Sequence, residues 1–472
     1  MKQYDKLYIN GEWVKPDSTE SIEVINPATE SPCACVPKGN REDVNAAVAS
    51  ARQAFNSWAQ TPAAKRAEIM NAVADEMQHR SDDLIDAHVI TMGCPRHLTA
   101  ALHVDAPIDG MRYYADRAAQ MDAVAEKDSV FLLKEPIGVC ALINPWNYPL
   151  HQLIGKVAPA LAAGCTIVAK PAGQTPLQDF IMAEIFEAVG LPAGVFNLVS
   201  GSGSVIGPIM SSHPAVDMVS FTGSTYAGIK VAEAAAPTVK RVCQELGGKS
   251  PYIITADADL EAAVRYGVED VMLNSGQTCN ALTRMFLPRS RYEEGVNIAR
   301  KIAEENVVGD PNDSSVSMGP MASASQKQTV LKYIKTGIAE GARLVTGGMD
   351  MPPGLQAGAY VQPTIFADVS NEMVIAREEI FGPVLCMIVY DDIEAAIEMA
   401  NDTVFGLASA VYAKDKGSAL KIARRIRAGQ CYIQGSYFNL QAPFGGYKQS
   451  GNGREWGDQA MHEYIETKAV IA

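Results

Sequence analysis

Val139-Cys140-Ala141-Leu142-Ile143, followed at once by Asn144-Pro145-Trp146-Asn147-Tyr148-Pro149, decides how this chain folds. Five apolar residues read as a strand. The six that follow carry two prolines, which restrict the backbone more than an ordinary loop does. A helical pattern then runs to Ala163, and the rhythm repeats. Residues 166–169 form the next strand and 177–189 the next helix, with further strands at 195–199 and 218–221. Strand, loop, helix, strand in this order indicates a parallel sheet with crossover helices. Ligands on such sheets bind at the carboxyl ends of strands, where the segments at Lys170, Gly201 and Gly223 fall.

Upstream, residues 7–9 before Asn10-Gly11 and 21–25 before Asn26-Pro27 look like short strands. Residues 41–93 turn helical, with amphipathic stretches at 44–58 and 64–79. Another helical region spans 98–121, where Pro107 is expected to break or kink it, and 129–134 is strand-like. Downstream of Lys249 the alternation restarts. Strands are expected at 251–254, 284–287, 344–345, 364–366 and 384–389, and helices at 259–273, 291–305, 323–340, 393–401 and 416–426. The Pro- and Gly-rich stretch 349–358 reads as a surface loop. A second α/β domain follows from this pattern.

A chain of 472 residues exceeds one ordinary core, so two or three domains are expected. Hydrophobic residues at 47% and charged residues at 20% describe a globular protein. Forty basic against fifty-four acidic residues give a charge of −14 with no offsetting basic run, which argues against nucleic-acid or anionic-membrane partners. No apolar run of signal-peptide or membrane-spanning length occurs, so the cytoplasm is the expected compartment. The nine scattered cysteines do not suggest a disulfide framework, and Cys33-Ala34-Cys35 lacks the second pair or nearby histidine of a zinc site. No metal is expected.

Ser275-Gly276-Gln277-Thr278-Cys279-Asn280 places one thiol behind a glycine turn. A thiol attacks a carbonyl as thiolate and needs a setting that lets substrate reach it; an isolated cysteine in such a protein is more often structural. Gly201-Ser202-Gly203-Ser204-Val205-Ile206-Gly207 resembles a dinucleotide fingerprint with one residue too many, and fits a tight turn as well. Gly223-Ser224 lies between an apolar strand and an alanine-rich helix, where it can receive a pyrophosphate or simply cap the helix. Glu245 precedes Gly247-Gly248, and on this stretch alone reads as an exposed carboxylate. The Asn147 amide can donate to an oxyanion or cap a helix.

Together these segments resemble the aldehyde dehydrogenase superfamily. The resemblance is carried, in the family's order, by Pro145-Trp146-Asn147-Tyr148-Pro149, Lys170-Pro171, Phe221-Thr222-Gly223-Ser224, Glu245-Leu246-Gly247-Gly248-Lys249-Ser250 and Gly276-Gln277-Thr278-Cys279. Glu379-Ile380-Phe381-Gly382-Pro383 and Pro443-Phe444-Gly445-Gly446-Tyr447-Lys448 complete it. The similarity implies an α/β fold with a Rossmann-type cofactor domain (1–117 and 137–247), a catalytic α/β domain (248–449) and a small β oligomerisation arm (118–136 and 450–472). A homodimer or homotetramer follows from the arm. The resemblance makes Cys279 the nucleophile, Asn147 and the Cys279 N–H the oxyanion donors, and Glu245 the base that hydrolyses a thioester. Glu245 also weighs against the acyl-CoA-forming branch. By the same carry-over Trp146, Lys170, Gly223, Ser224, Glu379 and Phe381 hold NAD or NADP.

Three departures stand out. Gly173 replaces the glutamate that NAD-preferring members usually carry three residues after the lysine, so both NAD and NADP are expected to work. Leu282 occupies a position where glycine or serine is commoner, with no reason beyond local repacking. Tyr148, His151, Gln152 and Gly155 share one helix face, implying a polar, open-sided pocket for a larger or oxygenated aldehyde; His151 facing solvent at the tunnel mouth is the alternative. Thr278, Asn280, Phe438 and Phe444 are expected to complete that pocket. A cofactor-independent esterase and an idle binding protein remain competing readings, the second disfavoured because Cys279, Glu245 and Asn147 are all present.

Overall fold

Five parallel strands form the heart of the first sheet: Arg241–Glu245, Met218–Thr222, Val139–Ile143, Thr166–Lys170 and Phe196–Leu198, in that spatial order. The computed structural model describes residues 2–121 and 124–472. Met1, Asp122 and Ala123, within the expected cofactor domain and arm, lie outside the described residues. Sequence order reverses between Val139–Ile143 and Met218–Thr222, and the carboxyl ends there open the crevice in which α/β sheets take ligands. Antiparallel strands Leu7–Ile9, Glu12–Val14 and Gly451–Asn452 finish the edges. The central strands Val139–Ile143, Thr166–Lys170 and Met218–Thr222 are buried throughout, as their apolar composition demands of a sheet covered on both faces.

A second, seven-stranded sheet orders Arg343–Thr346, Thr364–Ala367, Val384–Tyr390, Arg284–Pro288, Pro251–Ile254, Ala410–Tyr412 and Tyr432–Ile433. Arg284, at the head of its strand, is fully buried. Its guanidinium donates to the carbonyls of Lys249 (3.0 Å), Met399 (3.1 Å) and Ala400 (3.0 Å) and to Asn371 Oδ1 (2.8 Å), tying the sheet to the helix Ile393–Asn401.

Three expectations change. Residues 96–117 run without a break: π-helical turns Ala100–Asp105 pass straight into the helix Ala106–Arg117, and Pro107 falls at that change of register instead of breaking the run. Glu245, which on its own stretch reads as an exposed carboxylate, is buried at the end of the strand Arg241–Glu245. The segment 450–472 is not arm throughout. Gly451–Asn452 pairs with Gln244 and Glu245 in the first sheet, and Trp456 is buried in the core of that domain. Only Ile465–Ile471 joins Val130–Pro136 and Ala125–Lys127 in a separate three-stranded sheet. The tie at Gln244 and Glu245 explains this, because it anchors the chain before it can leave the domain.

Arg284→Met should strand three buried carbonyls and cost about 3 kcal/mol or more, read as a lower denaturant midpoint in urea unfolding; an unchanged midpoint would show those bonds to be dispensable.

Candidate active site between the two sheets

The loop after the helix Leu260–Met272 turns sharply. Asn274, Ser275 and Gly276 follow one another in the left-handed region (φ 51, 55 and 71). For the two non-glycine residues this costs about 1–2 kcal/mol each, so surrounding bonds must hold it. Ser275 Oγ donates to the Gly319 carbonyl at 2.8 Å, Gln277 Nε2 to the Asn274 carbonyl at 3.1 Å, and the Ala322 N–H to Gln277 Oε1 at 2.8 Å. A Cβ on Gly276 would lie 2.1 Å from the Gly382 backbone. The turn delivers Cys279 into the wall between two cavities.

Asn147 reaches the same loop from the carboxyl end of Val139–Ile143. Its Nδ2 donates to the Gln277 carbonyl at 3.0 Å, while Asn274 Nδ2 donates to the Asn147 carbonyl at 3.1 Å. Tyr148 and Thr278 share a hydroxyl–hydroxyl bond of 2.9 Å. Asn147 is therefore an amide locked across the domain boundary, with no role as a helix cap. Glu245 is 4% exposed, and neither carboxyl oxygen has a hydrogen-bond partner among the described residues. Burial, then the charge of Glu455, pushes its carboxyl well above the usual range, with Lys156 and Arg454 opposing. The Cys279 thiol is likewise pushed well above its ordinary value, first by burial and then by Glu379, Glu245 and Glu455.

Sequence reasoning missed Lys156 and Glu455. Their side chains are buried and paired at 2.8 Å, and Lys156 Nζ also lies 3.2 Å from Gln152 Oε1. Thr222 Oγ1 donates weakly to Glu455 at 3.4 Å. A single lysine inside the otherwise uncharged run of residues 152–163 was the available signal.

The first cavity, ≈ 260 Å³, brings Trp146, Asn147, Gly223, Ser224, Glu245, Cys279, Glu379 and Phe381 together. Trp146 and Phe381 meet edge to face, 5.3 Å between centroids. Glu379 accepts from the Gly248 N–H at 3.0 Å, and burial pushes its carboxyl up to about 7. A Cβ on Gly247 would sit 2.2 Å from Glu379 Oε2, so glycine keeps this wall clear. Ser224 caps the helix Thr225–Ala235, its Oγ accepting from the Ala227 N–H at 3.3 Å. Lys170 and Gly173 lie outside this lining. Lys170, lowered by burial to about 8, donates to the Pro171 carbonyl at 2.6 Å. A Cβ at Gly173 would meet only Ile22, at 3.9 Å, and Gly203 lies open beside the lysine.

The second cavity, ≈ 320 Å³, is lined by Tyr148, His151, Gln152, Thr278, Asn280, Phe438 and Phe444, and also by Asp270, Tyr266, Tyr432, Tyr437 and Trp456. It is aromatic rather than open-sided. Gly155 does not widen it: a Cβ there would stand 3.1 Å from Trp456, whose ring occupies the slot between Gly155 and Gly110. His151 packs on Trp456 (4.5 Å) and Phe438 (5.2 Å) instead of facing solvent, and burial draws its imidazole down to about 3. Leu282 belongs to the buried core of the second domain, and its N–H donates to Asp270 Oδ2 at 2.8 Å.

Two α/β domains sharing a half-buried cysteine, an amide donor and an unpaired carboxyl define a class of covalent carbonyl-processing enzymes. The aldehyde dehydrogenase family model matches residues 13–470, and the chain belongs to that family of aldehyde-oxidising enzymes. It is 46% identical over 474 residues to a 3-succinoylsemialdehyde-pyridine dehydrogenase from Pseudomonas sp, covering 100% of this chain and 99% of that one. A putative aldehyde dehydrogenase from Staphylococcus haemolyticus is 42% identical over 473 residues, covering 100% and 99%. Among solved structures, a cysteine-to-alanine mutant of aldehyde dehydrogenase C from Pseudomonas syringae, complexed with NAD+ and octanal, superposes with a TM-score of 0.98 at 47% identity, covering 99% and 96%. A Mycobacterium tuberculosis aldehyde dehydrogenase complexed with NAD+ gives 0.96 at 41%, covering 100% and 98%.

Gly276→Ala should displace the loop against Gly382 and change the rate at which a maleimide labels Cys279 in the folded protein; peptide mapping reads the label, and an unchanged rate would show that the turn does not set the thiol's position.

Proposed function

We propose that the protein oxidises an aldehyde to its carboxylic acid through a thioester on Cys279, with NAD or NADP as cofactor. The observation that carries this is that Cys279 lines both cavities, so one sulfur faces a cleft fit for a dinucleotide and a chamber fit for an aldehyde. The cleft suits the cofactor because it opens at the switch point of a parallel sheet and glycine keeps its wall clear at Gly247. When bound, the nicotinamide supplies the two-electron oxidant.

The chain's own groups do the rest. The Cys279 thiolate adds to the aldehyde carbon. The oxygen that becomes negative is held by the Asn147 amide and the Cys279 N–H, in surroundings poor in water, where such donors act most strongly. Oxidation leaves an acyl group on sulfur. Glu245 then takes a proton from water, which attacks the thioester and frees the acid and the thiolate. The Lys156–Glu455 pair fixes the buried field in which Glu245 works. Cofactor-independent ester hydrolysis would use the same sulfur as a side reaction.

Both the thiol and the Glu245 carboxyl are raised, so their protonated forms dominate near neutrality and the active forms appear as pH rises. Reduction of cofactor by an aldehyde should therefore accelerate from about pH 7 to about pH 9 and vanish in Cys279→Ala; a flat profile, or activity retained in Cys279→Ala, would contradict the mechanism.

Gly173 supports use of either dinucleotide, because no carboxylate there repels a 2′-phosphate and Lys170 lies three positions earlier in the chain. Gly173→Glu should lower kcat/KM for NADP at least tenfold relative to NAD; wild-type rates near zero with NADP would refute dual use.

We further propose an aldehyde with an aromatic or long apolar body and a hydrogen-bond donor at its far end. The aromatic walls accept the body, and Asp270, whose described partner is the Leu282 N–H, offers the acceptor. Asp270→Asn should reduce kcat/KM for amino- or hydroxyl-tipped aldehydes far more than for the matching alkyl aldehydes; equal losses, or a sharp preference for acetaldehyde, would sink this reading.

Division into a cofactor domain (1–117 and 137–247), a catalytic domain (248–449) and an arm remains part of the proposal, as do a homodimer or homotetramer and a cytoplasmic location. Supporting assembly, the strand Ile465–Ile471 is exposed along almost its whole length. No helix among the described residues is long and apolar enough to cross a membrane.

A further inference from the structure

Three side chains unused by the reaction gather behind the aldehyde chamber. His88 lies on the helix Ser81–Met92, Cys94 just past the left-handed Gly93 (φ 83), and His103 on the π-helical turns Ala100–Asp105. One ligand atom from each lies within 4.8 Å of the other two, and all three residues are buried. The two imidazole rings lie 3.8 Å apart, tilted by 31°, and His103 stacks in turn on Tyr148 at 4.4 Å.

Their hydrogen bonding is incomplete. Neither nitrogen of His103, nor Nε2 of His88, has a partner among the described residues. His88 Nδ1 faces the Gln178 side-chain amide at 3.4 Å, which leaves Nε2 as the free donor atom. Buried ring nitrogens without partners are unfavourable, and such groups in a native structure point to an occupant. The π-helical turns set His103 off the α-helical register, as such turns do at many functional sites.

Two imidazoles and one thiol are the donor set of zinc, which binds nitrogen at about 2.0–2.1 Å and thiolate sulfur at about 2.3 Å. Separations of up to 4.8 Å require the rings and sulfur to close in slightly. We propose that His88, Cys94 and His103 bind one Zn2+, with water as fourth ligand. Cys94 loses its S–H proton to solvent as the Zn–S bond forms, so each bound ion releases one proton. No electrons move. The ion would brace the helix Ser81–Met92 against the π-helical turns and back the Tyr148 ring that bonds to Thr278, beside Cys279.

The test uses the full-length protein, stripped with a chelator and reloaded with zinc alone or cobalt alone. Zinc retained after gel filtration is measured by elemental analysis, and the cobalt form is read by absorption. One zinc per chain and a sulfur-to-cobalt charge-transfer band are expected; both should persist in Cys279→Ser, which separates this site from the proposed catalytic thiol, and disappear in Cys94→Ser and His103→Gln. Wild-type protein retaining no zinc, a cobalt form without the band, or a band lost in Cys279→Ser and kept in Cys94→Ser would overturn the proposal. Because the wild-type spectrum reports the ligands by itself, a variant that fails to fold leaves the proposal refutable.

Discussion

Three consecutive left-handed residues, Asn274 to Gly276, are the constraint on which the site depends. They turn the chain just past the helix Leu260–Met272. No side chain fits at Gly276, because the backbone of Gly382 occupies that space. The same packing fixes the neighbouring segment, where Glu379 and Phe381 line the first cavity. One backbone contact thus sets the sulfur and part of the cleft together. The cost of the left-handed residues is offset by the bonds of Ser275 and Gln277 and by the Asn147–Asn274 tie to the other domain.

Electrostatics form the second theme. Carboxyl groups of Glu245, Glu379 and Glu455 each raise the thiol, and Glu455 also raises Glu245, in surroundings where burial strengthens such effects. Lys156 is the cation that makes this cluster tolerable, and it comes from the helix that follows Asn147. Burial raises the Glu245 carboxyl, which makes its ionised form a stronger base toward water. The resulting picture is of a site tuned by burial more than by specific pairing.

Much of this was legible in the residues, for local reasons. The strand Val139–Ile143 and the helix Ile393–Asn401 have the expected bounds, since uninterrupted apolar runs and a capped amphipathic pattern are local signals. What escaped depends on partners far along the chain. Glu245 reads as an exposed carboxylate until Met218–Thr222 and Gly451–Asn452 flank its strand. Gly155 suggests an opening, but Trp456, some three hundred residues later, fills it. Asp270 and Glu455 carry no motif of their own and acquire meaning only from the cavity wall and the buried lysine beside them.

Covalent capture of the acyl group on Cys279 is the central claim. The most direct test is intact-protein mass spectrometry of Glu245→Gln after mixing with NAD and an aldehyde. The mechanism predicts a rapid burst of reduced cofactor, stoichiometric with the chain, and a mass increase equal to the acyl group, mapped by peptide analysis to Cys279. A burst without any adduct, or an adduct on another of the nine cysteines, would contradict it.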